Sequence, residues 1–575
     1  MKSLWKYLKP YKKQLIVGPF FKLSEAVLEL FIPIMMANVI DYGVNTKNTS
    51  YIFKMGLVML VTVICGLLFA YVCQYSASIA SQGFGTRMRS AVFEHITKLS
   101  FEQTEKYGTS SLITRITNDI NIMQQGVAMF IRLFIRAPFI TFGSIVMAMF
   151  IDIKMSLIFL GALPVFIAII ALIMSRTLPM YKQVQEKTDK INTVMSENLS
   201  GVRVIRAFAK TEAEKERFNT ANNEYEKIVT TAGKIAGILN PGTMLIMNLV
   251  NVLIIHFGAK SVFIGEMTQG EITAFLSYSS YIVTALVVLS TMIILWTKAI
   301  ASSLRVAALL NMEPSIKDNQ TQEVKETDAQ TVLEFKNVSF SYNKNSENAL
   351  SDINFAVKKG ESIGIIGGTG AGKTTLIKLI ERMYEPTEGQ ILVGGVPIED
   401  YPSAQLRSKI GMVAQKAVLL TSTVAENIRQ GKPDATDEEI IEALKTAQAY
   451  DFIKNKPNGI NTKVSRGASN FSGGQKQRLS IARALVRKPE ILILDDSSSA
   501  LDYATDAALR KAIKEYAKDM TVINISQRIS SIEHCDRILV LSQGEQLGFA
   551  PHDELLKAVD LYAGIYESQG ERRKD

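Results

Sequence analysis

Residues 367–374 read Gly367, Gly368, Thr369, Gly370, Ala371, Gly372, Lys373, Thr374, which is the spacing G-x-x-x-x-G-K-[ST]. Glycines at those positions let successive backbone N–H groups turn inward on a polyphosphate. The N-terminus of a following helix adds positive potential, Lys373 reaches the terminal phosphates and the Thr374 hydroxyl can ligate Mg2+. The motif needs a strand before it and a helix after it. Ser362–Ile366 has the apolar run of a buried strand, and Thr375–Ile380 has the pattern of a helix. A glycine-rich turn matching by chance would lack that setting, so a nucleotide site is expected.

Two further stretches carry related chemistry. Ile491-Leu492-Ile493-Leu494-Asp495 reads as a buried strand ending in a carboxylate, held rigidly enough to fix Mg2+ beside the Thr374 hydroxyl. Phe471-Ser472-Gly473-Gly474-Gln475 precedes the helical run Lys476–Leu485 and forms a second glycine-rich helix start able to hold a phosphate. Val332–Tyr342 alternates as a strand should, and Tyr342 taken alone reads as a packed aromatic.

The elements that position these residues occupy only half of the chain. At 575 residues the protein is long enough for two or more domains of about 100–200 residues. Residues 1–312 are dominated by long apolar runs and read as a transmembrane domain; residues 331–575 alternate short strand-like and helix-like segments. Residues 313–330 (EPSIKDNQTQEVKETDA and the glutamine after it) lose periodicity and read as a linker. Crossing about 30 Å of hydrocarbon takes about 20 apolar helical residues. Six stretches meet or approach that length, near 15–40, 55–73, 133–151, 155–174, 235–255 and 272–297. The third is preceded by Arg132 and Arg136, which suggests that its N-terminal part extends into water.

The formal net charge is +9. Lysine and arginine gather at the N-terminus (Lys2, Lys6, Lys9, Lys12, Lys13) and in the long connections 81–125 and 176–234, while the other connections carry few. The basic balance therefore fits a positive-inside bias and not a nucleic-acid partner. It places both chain ends on the cytoplasmic side of a plasma (inner) membrane. The long connections keep helical patterning in 87–99 and 191–208, so the membrane helices are expected to continue well past the bilayer. No cleavable signal peptide is read at the N-terminus. Cys65, Cys73 and Cys535 lack metal-ligand spacing and read as core thiols, and the four histidines are scattered. In the first span Lys22, Glu25 and Glu29 share one helical face. They read either as the lining of a transport pathway or as an internally paired cluster.

With these motifs in place, essentially the whole chain resembles the ATP-binding cassette exporters that carry six membrane helices and one nucleotide-binding domain per chain. The fold class implied is a membrane α-helical domain of six long helices followed by an α/β phosphate-loop nucleotide-binding domain. Gly367–Thr374 corresponds to the family's Walker A, Gln415 in MVAQ to the Q-loop, FSGGQ at 471–475 to the signature, ILILD to Walker B, and Ser499-Ala500-Leu501-Asp502 to the D-loop. Residues 108–119 and 197–208 resemble the segments flanking the family's coupling helices. The resemblance implies a head-to-tail dimer with ATP and Mg2+ sandwiched between Walker A and B of one subunit and the signature of the other. The implied nucleotide contacts are Tyr342 under the adenine, the run Gly367 to Thr375, Gln415, and, toward the partner's nucleotide, Ser472, Gly473, Gly474, Gln475 and Asp502. Thr374, Gln415 and Asp495 are the implied Mg2+ ligands.

The chain departs from the family pattern where cleavage is concerned. The base that polarises water is normally a glutamate, and here it is Asp496; the switch histidine is replaced by Gln527 in Ser526-Gln527-Arg528. One methylene fewer retracts a carboxylate by about 1.5 Å, and misplacement of that order can cost about 100-fold in rate. A neutral amide cannot reproduce the geometry or charge states of an imidazole. Phe471 stands for the usual leucine, and Thr462–Gly467 lacks the usual acidic residue ahead of the signature. The expectation is a heterodimeric exporter of small hydrophobic or amphipathic compounds. This chain would bring a slow ATP site and an intact signature, and a second half-transporter the rest. A homodimeric lipid or drug flippase and an ATP-gated regulatory subunit are the alternatives.

Overall fold

The protein is described here from a computed structural model, which covers residues 2–316, 324, 330–343, 346–497, 501–516 and 519–570. Most of the linker expected at 313–330, and Ser499 and Ala500 of the expected D-loop, lie outside the described residues. The chain divides into two compact units, one of Met1–Lys98 and Tyr107–Glu313, the other of Leu99–Lys106 and Pro314–Asp575.

Among the described residues of the first unit, six helices are long and apolar enough to cross a membrane: Leu4–Val44, Thr49–Lys98, Thr109–Ile151, Ile153–Ser200, Thr211–Phe263 and Gln269–Leu310. They run to 41–53 residues. At 1.5 Å per residue that is about 60–80 Å, against about 30 Å of hydrocarbon, so each continues well past a bilayer. The breaks between them are short and chemically marked. Asp152 leaves the helical region and caps the fourth helix, its carboxylate accepting from the Met155 N–H at 2.7 Å. Thr268 and Glu271 form a reciprocal capping box at the start of the sixth.

The polar face of the first span is paired. Lys22 Nζ donates to both Glu25 oxygens at 2.8 and 2.7 Å, and Arg136 Nη2 of the third helix donates to Glu29 Oε2 at 2.6 Å. Lys22 and Glu25 thus pair within the cluster, whereas Glu29 pairs with a residue of another helix. The helices close on small and apolar residues: Ala26, Ala77 and Ala80 are fully buried, and the Tyr278 hydroxyl donates to the Leu30 carbonyl at 2.8 Å. No cysteine is bonded to another.

The described residues of the second unit build a ten-stranded sheet. Its strands are β1 (Thr331–Phe340), β2 (Leu350–Lys358), β3 (Ser362–Gly367), β4 (Glu388–Val393), β5 (Val396–Pro397), β6 (Ile410–Val413), β7 (Ile491–Asp495), β8 (Thr521–Ile525), β9 (Arg537–Ser542) and β10 (Glu545–Ala550). Across the sheet the order is β5-β4-β1-β2-β10-β9-β3-β8-β7-β6. The strands β9, β3, β8, β7 and β6 run parallel, while β2, β1, β4 and β5 form an antiparallel wing. SIGIIG and ILILD are continuous apolar runs because strands with parallel neighbours on both sides are covered on both faces. β3 and β7 thus run parallel with β8 between them, which brings their C-terminal loops to one edge.

Leu99–Lys106, although they follow the second span in sequence, belong to the second unit. The Glu105 carboxylate accepts from the Tyr384 hydroxyl at 2.6 Å and from Lys378 Nζ at 3.4 Å, and Phe101 meets the Tyr384 ring edge-on. Lys378 lies on the helix Lys373–Ile380 that follows the phosphate loop.

Candidate functional site

The loop 367–372 leaves the C-terminal end of β3, where ligands bind in open α/β sheets. Two of its glycines have geometries that demand glycine. Gly372 has φ +97°, and a Cβ there would sit 2.5 Å from Leu350 Cδ2. Gly370 has φ +83°, in the left-handed region that L side chains rarely adopt. Gly372 is also the N-cap of the helix Lys373–Ile380, so the free N–H groups of the helix start face the loop. Lys373 Nζ donates to the carbonyls of Gly367 at 2.6 Å and Gly368 at 2.8 Å. Burial pushes its ammonium below the usual lysine range, while the charges of Asp495 and Asp496 pull it back up.

β7 delivers the carboxylates. Asp495 pairs with Ile525 of β8 at the end of the strand, and burial, together with the adjacent Asp496, raises its carboxyl above the ordinary range; Lys373 acts in the opposite sense. Asp496 turns into the left-handed region at φ +44°, with its N–H donated to Ile525 O at 2.8 Å. Asp tolerates that conformation better than most residues, because a short polar side chain can bond locally. Gln415, two residues past β6, donates from Nε2 to Asp496 Oδ2 at 3.2 Å. One residue is thus fixed by backbone turn and amide together.

Gln527 follows β8 and is exposed, while Ser526 before it is buried with its N–H donated to Ile365 O. The backbone here is held from a distant point. Gln569, in the helix Asp560–Gly570, donates from Nε2 to Gln527 O at 2.8 Å and accepts the Ile529 N–H at 2.9 Å.

These parts converge on one cavity of about 710 Å³, lined by Thr369 to Thr375, Tyr342, Gln415, Asp495, Asp496 and Gln527. Gly367 and Gly368 stand just outside its lining and hold Lys373. The Tyr342 hydroxyl shares a 3.0 Å hydrogen bond with Thr375 Oγ1, and its ring packs edge-on against Phe340 and Tyr384. Glu347, Asn348 and Gln543 also line the cavity, and no motif marks them in the sequence. Nor does any local signal mark Gln569 or Tyr384.

The second glycine-rich start stays apart from this cavity. Ser472 caps the helix Gly473–Leu485 in a capping box: its hydroxyl oxygen accepts from the Gln475 N–H, and Gln475 Oε1 accepts the Ser472 N–H at 3.0 Å. Ser472 and Gly473 are exposed, Gly474 and Gln475 are half-buried, and Phe471 before them is buried. Asp502 accepts from the Thr505 N–H at 2.9 Å and hydroxyl at 2.8 Å, bonds that hold its carboxyl below the usual range. Within one chain the signature residues and Asp502 do not reach the phosphate loop's cavity.

Residues 15–286 match the family description "ABC transporter transmembrane region", and residues 350–499 match "ABC transporter". YfiB of Bacillus subtilis (strain 168), an ABC transporter ATP-binding protein, is 35% identical over 99% of this chain and 98% of its own length. The chain belongs to the ABC transporter family. YgaD of the same organism, described as a candidate multidrug export ATP-binding/permease protein, is 32% identical over 99% of both chains. A bacterial Atm1-family ABC exporter with ATP bound shares the fold at a TM-score of 0.81, with 23% identity over 97% of this chain and 98% of that one. This ABC transporter is accordingly a multi-pass membrane protein with an ATP-binding domain, it works as a dimer, and it couples ATP hydrolysis to transport.

Proposed function

We propose that this ABC transporter is one protomer of a heterodimeric exporter of hydrophobic or amphipathic compounds. It holds ATP at its own phosphate loop, cleaves it slowly, and completes the partner's site with Ser472–Gln475. The observation that carries the reading is the side-chain chemistry of one cavity: Asp496 and Gln527 line the same space as Lys373, where fast cleavage calls for a longer carboxylate and an imidazole. The multidrug export in the description of YgaD supports the substrate class. The lysine-rich N-terminus supports a plasma membrane setting with both ends cytoplasmic, residues 1–312 forming the membrane domain and 331–575 the nucleotide-binding domain.

The residues present also fit Mg2+. Burial and the neighbouring charge of Asp496 raise the Asp495 carboxyl, penalties that a divalent cation would offset. Thr374, Gln415 and Asp495 would hold the ion, which supplies neutralising charge to the phosphates when bound. Gln415 would relay the state of this centre through its bond to Asp496.

The test is to tag the chain in its native membrane and identify what co-purifies. A second half-transporter carrying glutamate and histidine at the corresponding positions is expected, with ATP turnover by the pair at least about tenfold above that of this chain alone. Brisk Mg2+-dependent turnover by the isolated chain would instead make it a homodimer.

A further inference from the structure

The chain contains two tryptophans, Trp5 and Trp296, and both line one cavity of about 680 Å³ in the membrane unit. The cavity lies under the N-terminal helix Lys2–Leu8, between the start of the first span and parts of the second, third and sixth. Its volume falls within the range of about 300–1,000 Å³ that holds small ligands. Apolar side chains make up nearly all of the lining, and the stacked rings of Phe130 and Trp296, 5.7 Å apart and 29° from parallel, form one flat wall. Two lining residues have polar side chains other than the indoles. Ser303 already donates to the Ala299 carbonyl at 2.7 Å, so its hydroxyl is satisfied within the helix. Lys12 is the one charged residue of the lining, and it has no acidic partner among the described residues. Lys9 and Lys13 flank it, and the sequence has no acidic residue before Glu25.

An occupant must therefore combine a long apolar body with an anionic end. Water does not settle in an apolar cavity. An apolar helix from a second protein would cover Lys12 without a counter-charge, and a zwitterionic headgroup would bring its own cation against three lysines. Tryptophans concentrate at the headgroup level of a membrane, where an amphipathic basic helix also lies.

We propose that this cavity binds an anionic phospholipid, with an acyl chain along the Phe130–Trp296 wall and the phosphate at Lys12. The proposal does not depend on whether the transporter is a hetero- or homodimer.

The tryptophans supply the readout. In the full chain carrying Trp5→Phe, Trp296 is the sole indole emitter, and the protein is reconstituted in vesicles with rising fractions of bromine-labelled phosphatidylglycerol or phosphatidylcholine. Half-maximal quenching is expected at an about fivefold lower fraction of the anionic lipid. Lys12→Gln should equalise the two lipids while Lys12→Arg keeps the difference. Ser303→Phe, which fills the cavity, should weaken quenching by both. Equal quenching by the two lipids in the parent protein, a preference that survives Lys12→Gln, or quenching by neither lipid would each overturn the assignment. Should Ser303→Phe fail to fold, the two Lys12 variants decide the matter.

Discussion

The phosphate loop and the trio Asp495, Asp496 and Gln527 border the same cavity, yet different kinds of constraint hold them. In the loop, Gly372 and Gly370 sit at backbone angles that exclude other residues, and Lys373 is bonded to the carbonyls beside it. The cleaving end is fixed by long-range contacts instead. β7 sets Asp495, Gln415 ties Asp496, and Gln569 ties the backbone around Gln527. Binding is written into local backbone geometry and tolerates little change; cleavage depends on side-chain reach, which can be altered without disturbing the fold. In such an arrangement the side chains at 496 and 527 can change while the geometry of the loop is kept.

If that division is right, damage to one end should leave the other readable. Lys373→Ala should weaken binding of a fluorescent ATP analogue by more than about 100-fold, since it removes a charged donor from the phosphates. Next in size is the repair of the other end. Asp496→Glu combined with Gln527→His should raise Mg2+-dependent turnover at this chain's own site by about 100-fold, measured as phosphate release, with analogue affinity nearly unchanged. A repaired chain that gains nothing would break the comparison.

Glu381 caps the far end of the helix that starts at Lys373, and the charge of Asp495 acts on it. Burial is the main cause that raises its carboxyl to about 7, with Asp495 adding to the effect and Arg407 opposing it. Because the folded-state value lies above the unfolded one, the folded protein holds the extra proton. Stability is full below the ordinary glutamate range and declines as pH rises through about 7. Glu381→Gln should remove that decline and stabilise the protein at pH 8 by on the order of 2 kcal/mol, read from thermal unfolding of the full chain at acid and alkaline pH. The smallest effect is expected at Gln569. On the repaired background Gln569→Ala should lower turnover about fivefold, the worth of about one hydrogen bond, and leave analogue binding alone.

Much of this molecule is legible in the sequence where the requirement is local. The glycine spacing at 367–372, the apolar run into Asp495 and the six long apolar stretches each state their own structure, because backbone angle, strand burial and hydrocarbon thickness act within a few turns of chain. What stays hidden is what partners decide. Nothing near Glu29 announces Arg136, 107 residues away, as its ion-pair partner. Nothing in β3 says that β8 and β9 will flank it, and nothing in Gln569 says that its amide will hold the backbone of Gln527 and Ile529. The docking of Glu105 on Tyr384 and Lys378 is equally silent, since both ends look like ordinary surface residues until the chain is folded.

The capping serine at 472 has one more consequence. Its oxygen accepts from the Gln475 N–H, but a hydroxyl also owns a proton, and the cap does not consume it. A phosphate arriving from across a dimer could accept a hydrogen bond from that O–H while the helix keeps its first turn closed, so recognition and helix integrity share a single hydroxyl without competing for it. Tension on the incoming phosphate would then be felt along the axis of the helix Gly473–Leu485, as a pull on its N-cap.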